Sequence, residues 1–178
     1  ALPAPRSPVV RAEAVAVKQL QPVGDFPPTG IFRRLFAASY DLFLLIAAWM
    51  VTTLAYLGVH IFIYGEPTAH AQAEDQAFVG NPSLTLILLL VMLAFYTWFW
   101  TKKGQSLGMQ AWRIRLQQLD GRSITGRQAL IRLAVAQASW LCAGLGFFWQ
   151  LWDRQARTWH DIASGTQLVT LPKGTFKD

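Results

Sequence analysis

The sequence predicts an all-α membrane protein with about three transmembrane hydrophobic segments, the third broken or re-entrant, and a small cytoplasmic β element. Three observations predict it. Of 178 residues, 53% are hydrophobic, 15% are charged and eight are Trp, a balance too apolar and too aromatic for an ordinary soluble domain. Three runs free of Asp, Glu, Lys and Arg, namely Leu42 to Tyr64, Leu84 to Trp100 and Leu133 to Trp152, each reach the roughly 17 residues that span hydrocarbon. Between the second and third runs, Trp112, Ile114 and Leu116 alternate with Arg113, Arg115 and Gln117, a strand period rather than a helix period.

The elements follow in chain order. Residues 1–30 carry Pro3, Pro5, Pro8, Pro22, Pro27 and Pro28 with few large apolar side chains, so they read as a flexible tail unable to bury enough surface to offset its ordering entropy. Residues 31–171 form the membrane domain and 172–178 a short C-terminal tail. The first run begins some forty residues in and lacks a short apolar core followed by a small-residue cleavage site, so it reads as a retained span. Asn81, Pro82 and Ser83 open the second run as a helix start, with a side-chain acceptor followed by a proline whose missing N–H costs nothing there. The alternating segment and the Asp120-Gly121 turn predict an amphipathic hairpin, to which the strand-like Thr166 to Leu171 could add. Gly144 and Gly146 interrupt the third run.

Charge orients these elements. Arg6, Arg11, Lys18, Arg33 and Arg34 precede the first span, whereas no Lys or Arg lies between Gly65 and Asn81. Cytoplasmic flanks collect basic residues, so the N-terminus is expected inside and the loop with Glu66, Glu74 and Asp75 outside. The segment from Lys102 to Arg132 is basic and returns to the inside. A single crossing by the third run would export Arg154, Arg157, Lys173 and Lys177, which a re-entrant element avoids.

The net charge of +6 is dispersed around hydrophobic runs with no base-reading module, which argues against nucleic acid as a partner and for the lipid bilayer. Cys142 is the single cysteine, so no intrachain disulfide and no thiol-rich cluster can form. His60, His70 and His160 share no ligand spacing, so neither a metal nor another cofactor is expected. Tyr56 and His60, four apart, suit a polar contact on one helix face. No nucleophile–base arrangement or paired catalytic carboxylate is visible, so the chain is not expected to be an enzyme.

Asp41 stands at the mouth of the first run, and a carboxylate in a membrane helix needs a partner, a wet cavity or an ion path. Arg34 precedes it by seven residues, within about 20° on one helix face but roughly 10.5 Å along the axis. That distance disfavours a direct salt bridge. Ala37 and Ala38 between them leave room for another segment to approach.

The stretch Arg33-Arg34-Leu35-Phe36-Ala37-Ala38-Ser39-Tyr40-Asp41, then Gly104-Gln105-Ser106-Leu107-Gly108-Met109, then His160-Asp161-Ile162-Ala163-Ser164-Gly165-Thr166 resembles the RDD family of small bacterial membrane proteins, named for one Arg and two Asp. The resemblance covers roughly residues 30–171. It implies that Arg34, Asp41 and Asp161 are the signature residues, with Gly104, Gly108, Gly165 and Thr166 completing the motif. It further implies an inner-membrane, multi-pass protein, and the family includes proteins described as cation/proton antiporters. Two readings stay open. In one, Asp41 exchanges protons for monovalent cations with Arg34 and Asp161 as partners, which in so small a chain needs a homo-oligomer. In the other, the three residues are a structural clasp in an accessory or assembly protein that docks a larger membrane partner.

Overall fold

The computed structural model describes residues 17–65 and 81–174. The loop with Glu66, His70, Glu74 and Asp75, expected outside, and Lys177 and the beginning of the expected N-terminal tail lie outside the described residues. In chain order the elements are α1 (Ile31–Tyr64), α2 (Pro82–Lys103), α3 (Leu107–Ala111), β1 (Ile114–Gln118), α4 (Gly126–Leu141), α5 (Leu145–Phe148), a 3-10 turn (Trp149–Leu151), α6 (Trp159–Ser164) and β2 (Thr166–Thr170). They fall into two compact units, residues 41–95 and the remainder of the chain.

Residues 41–95 contain most of α1 and the first part of α2. With 34 and 22 residues, the two helices measure about 51 and 33 Å, and both are long and apolar enough to cross a membrane. Asn81 caps α2 as expected, its Oδ1 accepting from the backbone N–H groups of Ser83 at 3.0 Å and Leu84 at 3.2 Å. Trp49 Nε1 donates to Leu88 O at 2.9 Å, and the Tyr56 hydroxyl pairs with Ser83 Oγ at 2.8 Å. Tyr56 and His60 meet as tilted rings 6.4 Å apart. Large apolar side chains such as Phe43, Val51 and Phe62 face outward, the surface a bilayer solvates.

The other unit is built on a two-stranded antiparallel sheet, with Ile114 opposite Thr170 and Gln118 opposite Thr166. The expected hairpin does not form. Its turn at Asp120-Gly121 is present, with Gly121 at φ +81°, but β1 pairs with Thr166–Thr170 instead of with the next residues. The reason is local: Thr125 and Gln128 close a capping box, Gln128 N–H to Thr125 Oγ1 at 3.2 Å and Thr125 N–H to Gln128 Oε1 at 3.0 Å. This starts α4 before a second strand can extend.

The described part of the expected tail, residues 17–30, is also ordered against this sheet. Thr29 N–H donates to Leu168 O at 3.0 Å, Thr170 N–H to Pro27 O at 2.9 Å and Ser123 N–H to Lys18 O at 2.8 Å. Proline is admissible in such an edge segment because its carbonyl still accepts. The strap also explains why β1 is not amphipathic. Arg115 and Gln117, expected in solvent, are buried: Arg115 donates to Gln117 Oε1 at 2.9 Å and Pro22 O at 3.0 Å, and lies 5.0 Å over the Phe26 ring.

The third run is broken. Its second half, Leu145–Leu151, is bent 109° away from α4. Gly144 turns the chain at φ +77°, and Gly146 lets the two arms touch: a Cβ there would lie 2.8 Å from Ser139 Cβ and 3.0 Å from Trp159 Cε3. Two helices are therefore span-like, or three if the bent pair counts as one.

Candidate functional site

Arg34 projects from the first turn of α1, and Asp161 from the N-terminal turn of α6. Thr158 caps α6 and fixes Asp161 reciprocally: Thr158 N–H donates to Asp161 Oδ2 at 3.0 Å, and Asp161 N–H to Thr158 Oγ1 at 3.3 Å. Arg34 Nη1 reaches the same Oδ2 at 2.6 Å. Its Nε donates to Thr29 O at 2.9 Å and its Nη2 to Ala156 O at 3.0 Å. Its three guanidinium nitrogens thus hold Asp161, the loop before α6 and the segment before α1.

The second oxygen of Asp161 is taken by Arg132, a residue of α4 whose Nη1 lies 2.5 Å from Oδ1 and 2.9 Å from Thr166 Oγ1. The Arg132 guanidinium also sits 5.6 Å over the Trp100 ring. The Asp161 side chain is 0% exposed, and those of Arg34 and Arg132 are 8% and 4% exposed. Two buried cations face one anion, so the cluster carries a formal charge of +1. Burial alone would raise the Asp161 carboxyl, but Arg132 and then Arg34 hold it below the usual carboxylate range, because opposite charges at contact distance favour ionisation. Its neighbour His160 is pushed down to about 3, first by burial and then by Arg132, and packs against Phe147 with ring centroids 4.9 Å apart.

Sequence reasoning missed Arg132, which counted only towards topology. The signal was available: Ala129, Arg132 and Leu133 are buried together on α4, at the i, i+3, i+4 spacing that places three residues on one face. Asp41 lies farther along α1. It is 3% exposed and shares a buried stripe with Arg34, Ala37 and Leu45, at spacings of three, seven and eleven, whereas Ala38 is exposed. The small-residue stripe therefore rests on Ala37 alone.

The glycines serve the backbone. Gly104 has φ +67°, and a Cβ there would lie 2.7 Å from Leu116 O, whose own N–H donates to Gly104 O at 2.7 Å. Gly108 O accepts from Trp112 N–H at 3.3 Å at the end of α3. Gly165 closes α6 in the left-handed region at φ +63°, the conformation a helix C-terminus commonly reserves for glycine. Thr166 joins the cluster, its hydroxyl 2.8 Å from Ser164 Oγ. Among the described residues no group of three or more His, Cys, Asp or Glu is placed to hold a metal ion.

Apolar helices of spanning length, a two-stranded sheet and a buried Arg–Asp–Arg cluster that ties α6 to the first turn of α1 define a helical membrane-type protein. A match to the RDD family covers residues 28–165, most of the chain, and the protein belongs to that family. No curated protein and no solved structure matches it.

Proposed function

We propose that this is a non-transporting accessory or assembly protein of the bacterial inner membrane, with its N-terminus and its sheet cytoplasmic, in which Arg34, Arg132 and Asp161 are a structural clasp. The observation that carries the reading is the saturation of Asp161, whose two carboxylate oxygens are engaged by two buried arginines and by the Thr158 N–H. A carboxylate that exchanges a cation must release its protein partners. Here a Na⁺ or K⁺ would enter a cluster already positive and displace charge-assisted hydrogen bonds, the stronger class of such bonds. The clasp fixes the C-terminal segment to α1, and the outward apolar faces of the long helices are left for lipid and a larger membrane partner.

A second reading, proton–cation exchange at Asp41, is favoured by one observation: the carboxylate is 3% exposed in a helix apolar enough to cross a bilayer, where an ionisable group is costly and often functional. Purified protein in sealed vesicles separates the two. On addition of Na⁺, K⁺ or Li⁺ to vesicles holding a pH gradient, dye-reported dissipation should equal that of empty vesicles. Dissipation above that level, reduced by Asp41→Asn at equal folded abundance, would establish exchange and overturn the accessory reading.

A further inference from the structure

The two flanks of the third hydrophobic run are hydrogen-bonded to each other. β1 precedes the run, β2 follows it, and the two pair over five residues from Ile114↔Thr170 to Gln118↔Thr166. Strands separated by a bilayer cannot share a ladder. The side chains repeat the constraint: Arg132, where α4 becomes apolar, binds Asp161 from the returning segment at 2.5 Å, and Gln128 Nε2 donates to Ser164 O at 3.2 Å. The run leaves and returns at one level.

That level is marked by the end of α2. Arg132 stacks on Trp100, two residues before Lys102, whose ammonium lies 5.5 Å over the ring of Trp98 one turn earlier; Trp and Lys at a span's end are the usual anchors of a headgroup boundary. From Arg132 to the end of α4 at Leu141 the helix rises only about 13 Å, less than half of the roughly 30 Å hydrocarbon thickness. The chain then bends by 109° and travels across rather than onward. Yet the bend exposes large apolar side chains, Trp140 68%, Leu141 90% and Trp152 73%, and it is flanked by exposed Arg127 and Arg154. Apolar tips between basic flanks match an anionic phospholipid surface, which attracts the cations and accepts the aromatic side chains.

We infer that the third run does not cross the membrane but forms a re-entrant wedge, seated in the single leaflet that faces the sheet, with lipid as its partner. The Arg132–Asp161 pair is the latch at the base of the wedge, and Gly144 and Gly146 make its apex.

Cys142, exposed at that apex and the single cysteine of the chain, is a native probe. The full chain, labelled there with an environment-sensitive fluorophore in phosphatidylglycerol-containing vesicles, should lose emission to a quencher on the upper acyl chain more strongly than to one near the chain ends, and should resist aqueous iodide. In a Cys142→Ser background, Leu119→Cys and Lys173→Cys, on exposed flanks of the two strands, should react with an impermeant maleimide from the same side in oriented membranes. Reaction from opposite sides would overturn the wedge in favour of a full crossing. Stronger quenching near the chain ends would overturn its shallow seat, and iodide quenching without lipid quenching would overturn lipid as the partner.

Discussion

Replacing Asp161 by Asn tests the clasp where it is most sensitive. The substitution keeps the shape and leaves an acceptor for the Thr158 N–H, but removes the negative charge that Asp161 places between two buried guanidinium groups. Arg34 and Arg132 approach Asp161 at 2.6 and 2.5 Å, with side chains at most 8% exposed, so solvent screening offers little relief. Removing one partner of such a buried pair costs about 3 to 5 kcal/mol; here two pairs are broken, though they share one anion, so we take that range as the expected loss. For a chain of this size each kcal/mol moves the melting temperature by about 2 to 4 °C, so a fall of roughly 6 to 20 °C is expected. The assay is thermal unfolding of purified protein in one detergent. Arg34→Met, Arg132→Met and Asp161→Asn combined should recover more than half of the loss, since removing all the charges together strands none of them. A single variant that melts within about 3 °C of the parent, under 1 to 2 kcal/mol, would refute the clasp, as would a combined variant less stable than the single one.

Two further outcomes follow from named side chains. Gly104→Ala should destabilise by at least about 1 to 3 kcal/mol, the cost of a non-glycine residue held in the left-handed region, because φ is +67° and the added Cβ meets Leu116 O at 2.7 Å; chemical denaturation measures it, and an unchanged midpoint would contradict it. His160 should make stability fall as pH falls. Its folded value is about 3 against about 6.5 unfolded, so between those values the unfolded chain binds more protons, and stability complete above the unfolded value is lost on acidification, by about 2 kcal/mol between pH 7.5 and pH 5. His160→Phe should flatten that slope in melts run across the range, and an undiminished slope would assign it elsewhere. Asp161 adds its own loss as pH falls through the ordinary carboxylate value of the unfolded chain, about 3.9, toward its depressed folded value, since there the unfolded chain again binds more protons.

The long elements were legible because their signals are local. Uncharged runs gave α1 and α2, Asn81 gave the start of α2, and Gly144 with Gly146 gave the break in the third run. Asp161 as the partner of Arg34 was legible from the motif and from the helix arithmetic that disfavoured Asp41 as a direct bridge. What failed was long-range pairing. The alternation in β1 was compatible with a hairpin, and only the capping box at Thr125 and Gln128 decided otherwise. The proline-rich strap carried too few apolar residues to signal a packed segment, because it is held largely by backbone hydrogen bonds, such as those of Lys18, Pro27 and Thr29, which leave little trace in composition. Arg115 was placed in solvent for the same reason, since the strap that buries it was not foreseen. Arg132 was hidden by its company: one cation among many in a basic segment looks like topology until the fold brings Asp161 to it.

Cation-dependent melting separates a saturated clasp from a cation site. A ligand that binds the folded state raises stability by an amount set by its concentration relative to its dissociation constant. Purified protein should therefore melt at one temperature in Na⁺, K⁺, Li⁺ and choline chloride at equal ionic strength, because no carboxylate of the clasp is free to receive a cation. A rise specific to one alkali cation, saturating with its concentration and abolished by Asp41→Asn, would contradict the account and make this protein a cation binder.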